Sequence, residues 1–198
     1  MDISELLNSS IGQSIVQNVA GKLGMNPNEA SSAVKTAIPT ILAGMTRNAQ
    51  SKEGAESLNR AIESKLDGSL LDDLSGMSQG QTQELLTDGD GILGHIFGNK
   101  RSVVEQNISQ KTGVSNDKIG PLLSTLAPIV MAYLGKEKKQ SNAGAGDLNS
   151  LLSGLIGGSQ NSKSGGGIMN MISGVLDKDG DGDGDVMDDL VNMFGKKR

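Results

Sequence analysis

The stretch that decides the fold is residues 115–134, SNDKIGPLLSTLAPIVMAYL, the most apolar run in the chain. A short polar cap opens it, and apolar residues then recur at spacings of three and four, which predicts a long helix. Pro128 lies inside this run. Because proline removes a backbone hydrogen bond, we expect the helix to bend there.

An earlier stretch, residues 26–45 (NPNEASSAVKTAIPTILAGM), resembles this run at an offset of 89 positions. The matching pairs are Gln17 and Gln106, Asn18 and Asn107, Gly24 and Gly113, Thr36 and Thr125, Pro39 and Pro128, and Ala43 and Ala132. Each copy has the pattern of a helix ended by glycine, a polar cap, and a longer helix containing a proline. We therefore predict an all-α helical bundle made of two similar helix pairs with proline-kinked central helices, an arrangement that allows pseudo-twofold symmetry.

The region between the copies is predicted to hold shorter helices. Residues 51–66 place apolar side chains at helical spacing before Gly68, and short helices are expected near residues 70–74 and 79–86. The sequence TDGDG at residues 87–91 predicts a turn, because Asp and Gly both favour turns. After it comes GILGHIFG, residues 91–98, with the only histidine, His95. A lone histidine without other ligands nearby favours a structural or surface role.

GILGHIFG, the helix after it, the turn at Gly113 and the ending LAPIVMAYLG together resemble the bacterial YidB-like proteins, domain-of-unknown-function family 937. The resemblance covers about residues 1–135. It implies an all-helical fold and a glycine-rich tail with an Asp-Gly run. It implies no activity, cofactor or catalytic residue.

Composition divides the chain into three parts. Residues 1–135 form the predicted duplicated helical domain. Residues 136–167 are a Gly/Ser/Lys-rich linker with one short apolar helix at residues 148–156, expected to dock on the main domain or on another copy. Residues 168–198 form an acidic tail predicted as an EF-hand-like helix-loop-helix.

The tail carries the one pattern that indicates chemistry. Residues 168–195 read IMNMISGVLDKDGDGDGDVMDDLVNMFG, in which an acid-glycine run separates two apolar stripes. Calcium takes six to eight oxygen ligands, which a single loop supplies when carboxylates alternate with small residues that let it curl. The predicted metal ligands are Asp177, Asp179, Asp181, Asp183, Asp185, Asp188 and Asp189.

Two loop registers fit the calcium pattern. A loop that starts at Asp177 places Gly182 at position six and closes at Asp188. A loop that starts at Asp179 places Gly184 at position six and closes at Asp188 or Asp189. Both registers stay open, and in both the closing residue is aspartate where an EF-hand has glutamate. The alternative is that the run is only a solvated acidic tether.

Charge and residue content exclude several classes of function. The chain has 18 basic and 23 acidic residues and a net charge of -5, and it lacks a Lys/Arg stripe with interleaved aromatics, so we expect no nucleic-acid partner. Lys136, Lys138 and Lys139 are expected at a solvated helix end. With no cysteine, one histidine and no phosphate-binding glycine loop, the protein is predicted not to be an enzyme, and no small-molecule substrate is identifiable.

The N-terminal residues lack the features of a secretory signal, and the most apolar segment falls short of the ~20 apolar residues that span a membrane. We therefore expect a cytoplasmic protein without a membrane span. The predicted function is that of a non-catalytic helical protein that binds calcium through its tail and acts as an interaction module for a protein partner or for itself. The alternative is a structural or self-associating protein whose tail is only a flexible tether.

Overall fold

The protein is described by a computed structural model that covers residues 7–65, 69–71, 79–141 and 147–157, and the regular structure in these ranges is helical. The α-helices are α1 (Ser10–Leu23), α2 (Pro27–Asn48), α3 (Lys52–Lys65), α4 (Gln79–Phe97), α5 (Arg101–Thr112), α6 (Asn116–Gln140) and α7 (Leu148–Gly157), and short 3₁₀ helices cover Ser69–Leu71 and Gly98–Lys100. The all-α prediction is therefore confirmed for the part of the chain that is described.

Helix α6 is the centre of the bundle. Its residues 122–135 are buried without interruption, and the helix packs against α1, α2, α3, α4, α5 and α7. A helix that is apolar on nearly every side must be enclosed by other elements, which explains why the most apolar run in the sequence occupies this place. Contrary to the expectation that this run falls short of a membrane span, α6 is long and apolar enough to cross a bilayer by length and composition alone, although 83% of its most apolar window is buried inside the protein.

Helices α1 and α5 end in similar ways, whereas the two long helices after them begin differently, because the Ser115 side chain makes no capping hydrogen bond at the start of α6. Gly24 and Gly113 end α1 and α5 with left-handed φ angles of 57° and 74°, and each donates its N–H to the carbonyl four residues earlier. The start of α2 is a capping box, in which the Asn26 side chain accepts the Glu29 N–H at 2.9 Å and the Glu29 carboxylate accepts the Asn26 N–H at 3.2 Å. The predicted glycine ends and the predicted start of α2 are thus confirmed.

One matching pair of the proposed repeat, Thr36 and Thr125, makes the same local contact. The Thr36 hydroxyl donates to the Ser32 carbonyl at 3.1 Å, and the Thr125 hydroxyl donates to the Pro121 carbonyl at 2.8 Å. Pro39 and Pro128 both lie inside their helices. The duplication as a whole, its pseudo-twofold symmetry and the bend at each proline stay predictions.

The predicted turn at residues 87–91 is wrong, because α4 continues through it from Gln79 to Phe97. The structure shows why a helix survives these glycines. Gly89 is buried against the backbone of Ser124 in α6, where an added Cβ would overlap the Ser124 carbonyl oxygen. The contact between α4 and α6 is the most extensive in the bundle. We infer that this packing outweighs the cost of about 1 kcal/mol for each glycine in a helix.

The face of α6 that meets Gly89 carries small side chains. Ser124, Pro128 and Ala132 are four residues apart, so they lie on one side of the helix, and all are buried. Small residues let two helix axes approach closely. We infer that the small Ser124 on this face allows the close approach of α4 at Gly89.

The end of α6 and the short helix α7 also differ in part from expectation. The predicted linker begins at residue 136, but α6 continues through its first five residues to Gln140. In this part of the helix Lys138 is buried and bonded to α3. Helix α7 packs on α2, α3 and α6 through buried Leu148, Leu152 and Leu155. Of the two docking options predicted for this helix, the structure shows the one on the main domain.

Candidate functional site

The predicted calcium ligands, from Asp177 to Asp189, lie outside the described residues, so the structure does not test them. Within the described ranges, no three His, Asp or Glu side chains come together in a way that could hold a metal ion. The candidate site in the described part of the chain is therefore a surface groove and the polar contacts beside it.

A groove of about 650 Å³ lies between α2, α3, α4 and α6. The apolar part of its lining comes from all four helices and consists of Met45, Leu58, Ala61, Ile92, Ile96 and Met131. Polar groups in the lining include Arg60, Glu63 and His95. This combination of an apolar surface with a few polar groups is typical of binding sites.

Two close contacts between α2 and α4 lie beside the groove. Gly44 precedes Met45 in α2, and an added Cβ there would overlap the side chains of Ile96 and Phe97, so α2 and α4 lie very close at this point. Nearby, the Asn48 side-chain amide donates to the His95 carbonyl at 2.7 Å. His95 itself is exposed at the edge of the groove, which agrees with a structural or surface role.

Helix α3 is attached to α6 beside the groove by a lysine. The Lys138 ammonium donates to a Glu63 carboxylate oxygen at 2.6 Å and to the Asn59 side-chain oxygen. The hydrogen bond from Lys138, followed by its charge and by Asn59, lowers the pKa of Glu63. The expectation that Lys138 is solvated was wrong, since only 10% of its side chain is exposed. Its partners are 75 and 79 positions away, and the sequence contains no signal that pairs them.

A second polar cluster joins α4, α5 and α6. The Ser124 hydroxyl donates to the Asp90 carboxylate at 2.6 Å, and Arg101 donates to the same carboxylate oxygen at 2.7 Å. Arg101 also donates to Glu105 at 2.8 Å. The hydrogen bond from Ser124 holds the pKa of Asp90 below its ordinary value, partial burial opposes this shift, and Arg101 adds to it. Arg101 is paired with both carboxylates, and together with Ser124 these contacts connect three helices.

This cluster should make stability depend on pH. Since the pKa of Asp90 is lower in the folded than in the unfolded state, its contribution is present above the unfolded value of about 3.9 and is lost as the pH falls below it. We expect the free energy of unfolding to decrease between about pH 5 and pH 3, and to decrease less in Asp90→Asn. Urea denaturation followed by circular dichroism measures this.

The matched control is Glu84→Gln, an exposed position on the same helix outside the cluster. This variant should keep the pH dependence of the unchanged protein. If Asp90→Asn also keeps it in full, the contacts of Asp90 with Ser124 and Arg101 do not stabilise the fold.

Comparison with known proteins identifies one family. A family of bacterial proteins of unknown function, DUF937, matches residues 5–137, which is more than half of the chain and includes α1 to α5 and most of α6. Neither the curated proteins nor the solved structures include a significant match. The chain therefore belongs to the DUF937 family of bacterial proteins.

Proposed function

We propose that this protein is a non-catalytic helical interaction module that binds calcium through the Asp-Gly run of its tail. The observation that carries the proposal is the alternation of five aspartates with small or polar residues between Asp177 and Asp185, bounded by apolar stripes on both sides. Carboxylate oxygens are the ligands that calcium prefers, and glycine allows the tight curl that brings them together.

Electrostatics favours a cation at this run. Five carboxylates within nine residues repel one another, and a nearby positive charge is the simplest way to stabilise them in their ionised form. In the same run there is a single basic side chain, Lys178. A divalent ion that binds several of these carboxylates would relieve the repulsion and order the loop. The two apolar stripes would then be held at a fixed distance from each other.

The interaction role is supported by the groove. Its lining is mostly apolar. Of the charged groups in the lining, Glu63 is paired with Lys138, and Arg60 donates hydrogen bonds to the Glu56 carbonyl and the Ser57 hydroxyl on its own helix. Such a surface suits a hydrophobic peptide segment better than a charged metabolite.

Calcium binding is tested by isothermal titration calorimetry with the full chain. We expect a saturable heat with a dissociation constant of about 10⁻⁵–10⁻³ M, weaker than in a typical sensor EF-hand because no bidentate glutamate closes the loop. The double variant Asp181→Ala, Asp183→Ala should lose this heat, because the Asp181 carboxylate is a ligand in both loop registers and the Asp183 carboxylate is a ligand in the register that starts at Asp179. The control is Glu53→Ala, Glu56→Ala, which removes the same charge from exposed positions on α3 and should bind as before.

Absence of heat in the unchanged protein would contradict the proposal. Self-association that light scattering finds unaffected by EDTA would then favour the structural alternative with a simple tether. The registers are separated by Asp177→Ala, which should weaken binding at least tenfold if the loop starts at Asp177 and leave it unchanged if the loop starts at Asp179.

A further inference from the structure

We propose that the uncharged apolar segment at residues 168–176 of the tail binds in the groove between α2, α3, α4 and α6 of its own chain. This inference rests on the proposed function, in which the tail takes part in interactions. The inference adds the surface to which the tail binds. Three sets of observations support it: the lining of the groove, the composition of the segment, and the place where α7 ends.

The groove has the properties of a site for one face of a helix. Ala61, Ile92 and Ile96 are only partly buried and provide apolar surface that solvent can reach. Met45 and Met131 are buried residues of the same lining, and methionine adapts its shape to different partners. A hydrophobic groove between helices is a common receptor for an amphipathic helix, whose apolar residues enter it at spacings of three and four.

The segment at residues 168–176, IMNMISGVL, fits such a groove. Ile168, Ile172 and Val175 recur at spacings of four and three, and the segment has no charged residue. Its burial therefore carries no cost of removing a charge from water. The other apolar stretch of the tail, residues 186–194, contains Asp188 and Asp189, which are themselves candidate calcium ligands. The groove therefore favours the first of the two.

Helix α7 packs on helices that also line the groove, and the segment follows it after a short stretch of chain. Helix α7 ends at Gly157 and packs on α2, α3 and α6, which are three of the four helices that line the groove. Ten residues, GSQNSKSGGG, separate Gly157 from the segment. A Gly/Ser-rich stretch of this length has an average span of about 17–19 Å, roughly the width of two packed helices. A tether this short gives an effective concentration of about millimolar, which favours a segment of the same chain over that of a second copy.

Binding in the groove also links this segment to the calcium loop. The segment ends at Leu176, directly before Asp177. If the groove holds the segment, the first ligand of the loop is already restrained, and less conformational entropy is lost when calcium binds. Calcium should in turn increase the fraction of molecules in which the groove is filled.

Disulfide cross-linking tests the contact, since the natural chain contains no cysteine. In the full-length double variant Ala61→Cys, Ile172→Cys we expect an intrachain disulfide under mild oxidation, seen as a faster-migrating monomer on a non-reducing gel. The matched control is Val103→Cys, Ile172→Cys, because Val103 is 47% exposed on α5 and is not part of the groove. The groove pair should react at least tenfold faster than the control pair.

Equal rates in the two variants would overturn the proposal. So would a product that is mainly a cross-linked dimer when the protein is dilute, because the groove would then receive a second copy. A measurement without cysteines provides an independent readout: methyl NMR signals of Ile92 and Ile96 should shift in Ile172→Asp and stay in place in Val191→Asp.

These outcomes are separable from the calcium proposal. A calcium heat with equal cross-linking rates contradicts groove binding alone. If the groove pair cross-links fast but calcium titration gives no heat, the proposed metal site is contradicted and the groove contact is supported.

Discussion

Replacing Gly89 by alanine should lower the free energy of unfolding by about 1–3 kcal/mol or more, although alanine is the better helix former. The reason is the closeness of α4 and α6 at this point, where the new Cβ would overlap the backbone of Ser124. A backbone atom in the middle of a helix cannot move aside as the tip of a side chain can. Relief of the clash requires the two helices to separate, which also disturbs the 2.6 Å hydrogen bond from Ser124 to Asp90.

The matched control is Gly94→Ala in the same helix. An added Cβ at Gly94 meets nothing within 4 Å, and its φ angle is not positive. At Gly94 the greater helix propensity of alanine should therefore determine the result, and the free energy of unfolding should rise by about 0.5–1 kcal/mol. Urea denaturation of both variants, followed by circular dichroism at 222 nm, measures the difference. Equal effects of the two substitutions would show that α4 and α6 do not meet at Gly89.

Replacing either Leu122 or Leu123 by alanine should lower the free energy of unfolding by about 2–5 kcal/mol. Both side chains are fully buried, at 0% exposure, and point in directions about 100° apart around α6. In a surface helix, truncating one of two neighbouring side chains often lowers the free energy of unfolding only slightly. In α6 both should be costly, because other helices enclose it and each truncation leaves a cavity in a tightly packed interior.

The control for this pair is Val103→Ala on α5, where 47% of the side chain is exposed and the change should stay within about 0.5 kcal/mol. The same urea denaturation applies to the three variants. A cost below 1 kcal/mol for either leucine would contradict the central position of α6. It would indicate that one of its sides faces solvent.

Local signals predicted the helix ends well. The capping box at Asn26, the left-handed glycines Gly24 and Gly113, and the apolar spacing in α6 are each formed by residues within a few positions of one another. Such patterns are visible in the sequence because the groups that satisfy the backbone at a helix end lie close along the chain.

The error at α4 has the opposite origin. Residues 87–91 have the composition of a turn, and the helix through them depends on partners far along the chain. Gly89 packs on Ser124, and Asp90 binds Ser124 and Arg101. Local propensity is a weak guide when the contacts that oppose it come from another helix.

The candidate sites divide in the same way. The calcium hypothesis arose from the sequence alone, because its ligands lie within one short run of aspartates. The groove was not foreseen, since its apolar lining comes from four helices and the same residues at the same spacing also describe an ordinary core. Lys138 was misjudged for a related reason, because its partners Asn59 and Glu63 belong to a helix more than 70 positions away.

The sequence by itself determined the helical class, the limits of the helices that carry caps, and the apolar run at the centre of the bundle. These depend on interactions within a few residues and on hydrophobic periodicity. Only the tertiary structure decided that α4 is continuous, that Lys138 is buried, and that α2, α3, α4 and α6 leave a groove between them. Those features depend on which helix faces come together, and close packing between distant residues leaves no local pattern in the chain.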